Sequence, residues 1–495
     1  MPLSKKSILI IGAGISGMSA ACHLAKAGFN VHVIEKNNNP GGRANIFEKD
    51  GFVFDMGPSW YWMPDVFETF FNHFGKKTSD YFTLQKLSPS YQVIWNKNEA
   101  DNVFADDNEL KNLFEKYEKN SYHKLQSFLA EAKYKYEVGM NDMVDKPALS
   151  WFEFADWRVM KSFFKLDLLV NMKKHIAKKF SHPRLVQLLS FPVLFLGAKP
   201  QNTPALYSLM NYADLKLGTW YPENGMFSIS KAMYDLACEL GVSFTFNEEI
   251  NSFDYDNNKI IAANSKNKKH IADYIISAAD YHHIDQNILE PQYANYSKKY
   301  WESRTLAPSA LIFYLGINKK INKLQHHNLF FDADFDQHAN EIYDKKSWPT
   351  SPLFYVCCPS KTDKNVAPEG NENLFILMPC AVDIEDNEEV RKKYFDILLN
   401  RMEEFCGEAL KNYVVFNQSF AHKDFKSLYH SFKGNAYGLA NTLRQTAVWK
   451  PQITNKKLKN LFFTGQLTVP GPGLPPAIIS GKIVADYINK IDKKN

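Results

Sequence analysis

The thirty residues KSILIIGAGISGMSAACHLAKAGFNVHVIE, Lys6 to Glu35, constrain this chain more than any other stretch. An apolar run of strand length leads into Gly12-x-Gly14-x-x-Gly17. A helical segment, Ile15 to Ala27, follows and stops at Gly28, and Phe29 to Ile34 reads as a second strand. This strand–loop–helix–strand pattern predicts an α/β unit of the Rossmann type. Gly12 permits the tight turn, Gly14 lets backbone approach a pyrophosphate, and Gly17 lets helix and strand pack closely. Ala13 and Ser16 complete the loop, whose amides and helix dipole favour phosphate. Glu35, followed by Lys36, closes the second strand where a carboxylate can accept the two ribose hydroxyls. An acid there disfavours a 2′-phosphate, so the motif predicts a dinucleotide other than NADP and leaves NAD and FAD open.

Length and composition narrow the class. A chain of 495 residues supports two or three domains. Aromatic residues reach 14%, with 37 Phe and 25 Tyr, which suits a large apolar cavity or simply a well-filled core. A net charge of +5 is not the profile of a nucleic-acid binder. Six cysteines, without CxxC spacing, read as thiols in a reducing cytoplasm. The glycines interrupt the first apolar run, so it is not read as a signal peptide. The longest uncharged run, Leu461 to Gly481, carries four prolines and four glycines and does not suit one continuous membrane helix.

Two further stretches decide between NAD and FAD. Directly after Lys36 comes NNNPGGRA, where Gly41 and Gly42 make a second close-approach turn and Arg43 can face the same pyrophosphate. Gly57, Pro58 and Ser59 then end the strand FVFDM close to where a flavin ring would lie. At the far end, NLFFTGQLTVPGPGLPPAIISG combines a strand, a glycine-rich turn and a helix from about Pro476. Its Gly465, Gln466, Gly473, Leu474 and Pro475 offer a second amide-lined site suited to the ribityl chain and ring edge. A site finished by both ends of the chain fits FAD better than NAD. Flavoproteins of this plan often have an acid where Gln466 stands; an amide can also bond a ribityl hydroxyl.

With these stretches in hand, the chain resembles the FAD-dependent carotenoid desaturases of the flavin amine oxidase-like superfamily over nearly its full length. FPVLFLGAKPQNTPALYSL, GTWYPENGMFSISKAMYDLACELGVSF and SAADYHH narrow it to that family. FDMGPSWYWMPDVFE and FKGNAYGLANTLRQTA look most like enzymes acting on phytoene. In YPENGMF, relatives usually show two glycines; Asn224 tolerates positive φ. The resemblance implies a discontinuous FAD domain from about 1–90, 220–290 and 445–495, with Ile250 and Tyr274 to Ala279 near the adenine side. An interleaved α+β substrate domain would take 91–219 and 291–444, with a helical membrane-facing region at 150–200.

The resemblance also implies a lipophilic substrate, phytoene, desaturated towards lycopene by an enzyme on the cytoplasmic face of a membrane. Between Arg158 and Arg184, eight Lys/Arg face one acid, Asp167, with apolar residues at helical spacing between them, as at a lipid interface. Desaturation would pass a hydride to the flavin, lose a proton from the adjacent carbon and send electrons to a quinone or oxygen. The double bonds already present stabilise the allylic cation, so no catalytic residue is assigned; Asp156 and Arg158 read as a surface pair. The pairs His282–His283 and His326–His327 lack a third ligand at metal spacing, so no metal is expected. Competing readings are a desaturase of hydroxylated or shorter carotenoids, a carotenoid isomerase, an amine oxidase, and a prenyl-binding module without catalysis. The intact flavin motifs argue against the last.

Overall fold

Ile8 to Ile11 are all buried, as the central strand of a covered parallel sheet must be. The computed structural model, which describes residues 5–154, 166–167 and 170–494, builds five parallel strands in the order Leu461–Phe463, Tyr274–Ser277, Ser7–Ile11, Asn30–Ile34 and Ser243–Thr245. One sheet therefore gathers strands from both ends and the middle of the sequence. Helix Ile15–Lys26 runs between the first two strands of the chain. It lies against helix Leu474–Asp492 so closely that a Cβ on Gly481 would stand 2.3 Å from the Ser16 carbonyl oxygen. The Ser19 hydroxyl donates to the Ile478 carbonyl at 2.6 Å across the same seam. The terminal helix starts at Leu474 rather than Pro476, because prolines in a first turn forfeit no helical hydrogen bond.

A second sheet has seven strands, ordered Val414–Phe420, Ser309–Ile317, Glu372–Cys380, Phe354–Cys357, His327–Phe330, Tyr91–Asn96 and Glu99–Val103. Only the contact between His327–Phe330 and Tyr91–Asn96 is parallel. Its strands Ser309–Ile317, His327–Phe330 and Phe354–Cys357 are buried at every position. Leu311, Phe313 and Leu315 point into a core shared with Leu398, Leu399 and Met402 of helix Glu388–Cys406. Their neighbours Ala310 and Ile312 face the opposite way and line a cavity. Both faces of these strands are covered, so they show no alternation of buried and exposed residues.

The helical region expected at 150–200 is only partly described; Asp156, Arg158, Lys161 and Lys165 fall outside the described residues. In the described part, Met172, Ile176 and Phe180 are buried in the main core rather than presented outward. Lys173 pairs with Asp336 and Lys179 with Glu131, each at 2.7 Å, and Arg184 makes a bidentate contact with Glu99. In this half of the basic segment the apolar side packs inward and Lys173, Lys179 and Arg184 are ion-paired, while Lys174 and Lys178 are exposed. No described helix is long and apolar enough to cross a membrane.

Candidate cofactor and substrate cavity

The glycine loop forms by backbone contacts that tolerate no side chain. A Cβ on Gly17 would lie 2.2 Å from the Gly12 carbonyl oxygen, and Gly12 itself has φ +105°. Gly14 has open space where its Cβ would be, so the loop presents bare backbone to the cavity. The second glycine turn stacks on the first: Gly41 N–H donates to the Ala13 carbonyl at 2.8 Å, and Gly42 sits against Gly14. Glu35 is 6% exposed, accepts from the Ala13 amide at 2.8 Å and from the Asn37 amide at 2.9 Å. Each oxygen keeps lone-pair capacity for a ribose hydroxyl.

Gly12, Gly14, Ser16, Glu35, Lys36, Gly42 and Arg43 all line one continuous cavity, together with Gly57, Pro58, Ser59 and Ile250. Gly465, Gln466, Gly473 and Leu474 from the far end of the chain close the same wall. Ala13, Gly17 and Pro475 are outside the lining: the Ala13 amide holds Glu35, Gly17 seats the helix under Gly12, and Pro475 belongs to the first turn of the terminal helix. Asn224 has φ +66°, as the missing glycine there requires.

The cavity also recruits residues that local motifs did not flag. Asp280 lies beside Arg43; burial pushes its carboxyl up to about 6, against the pull of the guanidinium. Arg43 stacks on Tyr429, 4.9 Å from the ring centre, and donates to the Ser431 hydroxyl at 3.2 Å. Its partners arrive from nearly four hundred residues away, beyond the reach of any spacing rule. Arg43 Nε, Asp280 Oδ2 and Gln466 Nε2 are buried without hydrogen-bond partners among the described residues. Buried polar atoms are ordinarily paired. An orphaned cation edge, an acceptor and an amide donor around a bare glycine loop fit a ligand carrying phosphates and hydroxyls.

Beyond Ser59 and Trp60 the lining changes character. Phe191, Ala310, Ile312, Leu329, Phe331 and Leu377 make an apolar chamber against the seven-stranded sheet. His338 is there too, yet its Nε2 meets the Pro379 carbonyl at 3.0 Å and its Nδ1 accepts from the Leu353 amide at 2.8 Å. Both nitrogens are used, and burial holds the ring neutral, with its pKa down at about 4. Tyr343, Tyr355 and Tyr437 also line this part. The two ends together enclose about 2800 Å³, the mouth included.

Residues 15–489 match the family described as flavin containing amine oxidoreductase. The chain belongs to this family. Its cofactor is FAD. Among relatives, a carotenoid 3,4-desaturase of Haloarcula japonica is 38% identical over 487 residues, 98% of each chain. A zeta-carotene-forming phytoene desaturase of Myxococcus xanthus is 30% identical over 98% of this chain and 94% of its own. A 4,4'-diapophytoene desaturase of Staphylococcus aureus is 31% identical over 98% of both. Solved structures of the same fold include an oxidoreductase from Methanosarcina mazei, with TM-score 0.62, 16% identity and coverage of 97% of this chain and 100% of that one. A putrescine oxidase bound to putrescine gives TM-score 0.61 at 13% identity over 98% and 99%. Within the family the chain is a carotenoid desaturase, an FAD-dependent oxidoreductase acting on carotenoid CH–CH bonds.

Side chains distant in sequence gather beside the histidines. Glu249 and His430 meet His283, without His282, at the rim of the cofactor end, and Cys357 meets the pair His326 and His327 in the interior.

Proposed function

We propose that this desaturase acts on phytoene, introducing double bonds on the way towards lycopene. The observation that carries the reading is the chamber beyond Trp60: its walls are mostly aliphatic and aromatic side chains, and His338 there has both nitrogens bonded to backbone. Such a wall rewards a hydrocarbon chain at roughly 25 cal/mol per Å² buried. The stretches FDMGPSWYWMPDVFE and FKGNAYGLANTLRQTA, which resemble enzymes acting on phytoene, supply Met56 to Trp60 and Tyr437 to that cavity.

Bound at the polar end, FAD supplies the acceptor for the hydride that leaves the substrate as a double bond forms. The protein holds the cofactor through the glycine loop, Glu35, Arg43 and the Gly465–Leu474 turn. The apolar walls exclude water from the reacting carbons. The faces of Tyr343, Tyr355 and Tyr437 offer electron-rich surfaces to positive charge spreading along the polyene. No acid or base of the chamber is needed for that charge, since conjugation delocalises it.

Reaching a lipid-dissolved substrate requires contact with a membrane surface, and we include peripheral docking on the cytoplasmic face in the proposal. Trp151, Phe152 and Trp449 support it: they are 55%, 89% and 51% exposed, and the two indoles meet edge to face at 5.0 Å. Exposed aromatic groups of this kind suit the headgroup region. A quinone or oxygen is proposed as the terminal acceptor.

A second reading, 3,4-desaturation of a carotenoid that is already conjugated, is favoured by the 38% identity to the Haloarcula protein. The test supplies FAD-loaded protein with phytoene or lycopene in anionic liposomes and records absorbance. New structured bands from colourless phytoene are expected. A red shift of lycopene with phytoene untouched would replace the first reading by the second.

A further inference from the structure

We propose that His326, His327 and Cys357 bind one divalent cation of the zinc class behind the cavity wall formed by Trp60 and Tyr355. The site is made by strand pairing. His327 stands directly opposite Cys357 on neighbouring antiparallel strands, and His326 precedes that strand by one residue. Each of the three residues offers a ligand atom, and these atoms lie within 4.8 Å of one another. All three are buried, at 4%, 0% and 2% exposure.

The imidazoles are held as a metal site holds them, by the nitrogen that does not bind. His326 Nδ1 meets the Thr362 hydroxyl at 2.7 Å, and His327 Nδ1 meets the Tyr355 hydroxyl at 2.6 Å. The Tyr355 hydroxyl also meets the Ser59 hydroxyl at 3.0 Å. With Nδ1 as the N–H donor to Tyr355, His327 Nε2 carries a lone pair. The Nε2 atoms of both histidines are buried without a partner among the described residues.

Two nitrogens and a sulfur favour a borderline-soft ion such as Zn²⁺ over Mg²⁺ or Ca²⁺. The three atoms must draw in to metal–ligand distances of about 2.0–2.3 Å. A small cavity lined by Cys357, Tyr221, Asp55 and Ser59 adjoins the cluster and gives access for a fourth ligand. Binding is a proton exchange: the cation accepts two imidazole lone pairs and the thiolate, the Cys357 proton leaves to solvent, and no electrons are transferred. The ion would cross-link two strands whose Leu329 and Tyr355 line the substrate chamber.

The test equilibrates full-length, FAD-loaded protein with Zn²⁺, removes free metal and measures zinc and flavin per chain. One zinc per chain is expected, falling at least about tenfold in Cys357→Ser and His327→Gln and unchanged in Cys358→Ser, whose thiol lies outside the cluster. Flavin content reports folding independently in every sample. Wild-type protein loaded with Co²⁺ should show a thiolate-to-cobalt charge-transfer band, and its melting temperature should rise on loading. Bound metal that survives Cys357→Ser, or a cobalt complex without the thiolate band, overturns the assignment and marks the ion as adventitious only. No zinc retained by well-folded wild-type protein overturns it as well.

Discussion

The two ends of the cavity are made from different materials. At the cofactor end glycines carry much of the wall: Gly12, Gly14, Gly42 and Gly465 line it without side chains, beside the polar groups of Glu35, Arg43, Asp280 and Gln466. At the substrate end the wall is side-chain bulk from the inner strands of the seven-stranded sheet, which are buried on both faces. The first end binds by hydrogen bonds and charge at defined points and selects one cofactor. The second binds by area and shape, with little directional bonding, and selects by length and thickness. An enzyme that joins a polar dinucleotide to a hydrocarbon needs both kinds of surface, and they meet near Ser59 and Trp60.

That contrast can be broken from either side. The largest effect is expected from Gly17→Val, whose side chain has no room beneath Gly12: flavin per chain should fall to near zero, measured by flavin absorbance of the purified protein. Ile312→Trp, which fills the apolar chamber, should leave flavin content intact and cut turnover of phytoene about a hundredfold. Its neighbour separates packing from function. Leu311→Ala, on the other face of the same strand, should cost about 2–5 kcal/mol of stability in denaturant unfolding while product identity is unchanged. Glu35→Gln is the mildest change: it keeps the shape, weakens charge-assisted bonds, and should loosen FAD by roughly tenfold in a fluorescence titration. Equal flavin loss in Ile312→Trp and Gly17→Val would mean that the two ends are not separable.

The same contrast explains what could be read from the sequence. A glycine required by backbone geometry leaves a mark at fixed spacing, so Gly12, Gly14, Gly17 and the Pro40–Arg43 stretch pointed to the cofactor fold directly. Asp280, Tyr429 and His430 left no such mark, because they reach the cavity only through pairings hundreds of residues long. The substrate wall was less legible still. Ser309–Ile317 is buried at every position, so nothing in its pattern tells Leu311, which packs a helix, from Ile312, which faces the chamber. In the basic segment helical spacing alone does not say what the apolar side meets: between Met172 and Phe180 it packs into the core. The third ligand beside His326 and His327 was invisible for the same reason as Asp280, since a strand ladder and not local spacing brings Cys357 there.

The central claim is that one cavity brings FAD and a carotenoid chain together. Its most direct test is an anaerobic single turnover, in which FAD-loaded protein is mixed with phytoene liposomes and followed at the flavin's visible band and at the bands of the products. The account predicts bleaching of the flavin in step with growth of polyene absorbance, and no bleaching by putrescine. Bleaching by the amine, with a flavin that both phytoene and lycopene leave unchanged, would contradict it.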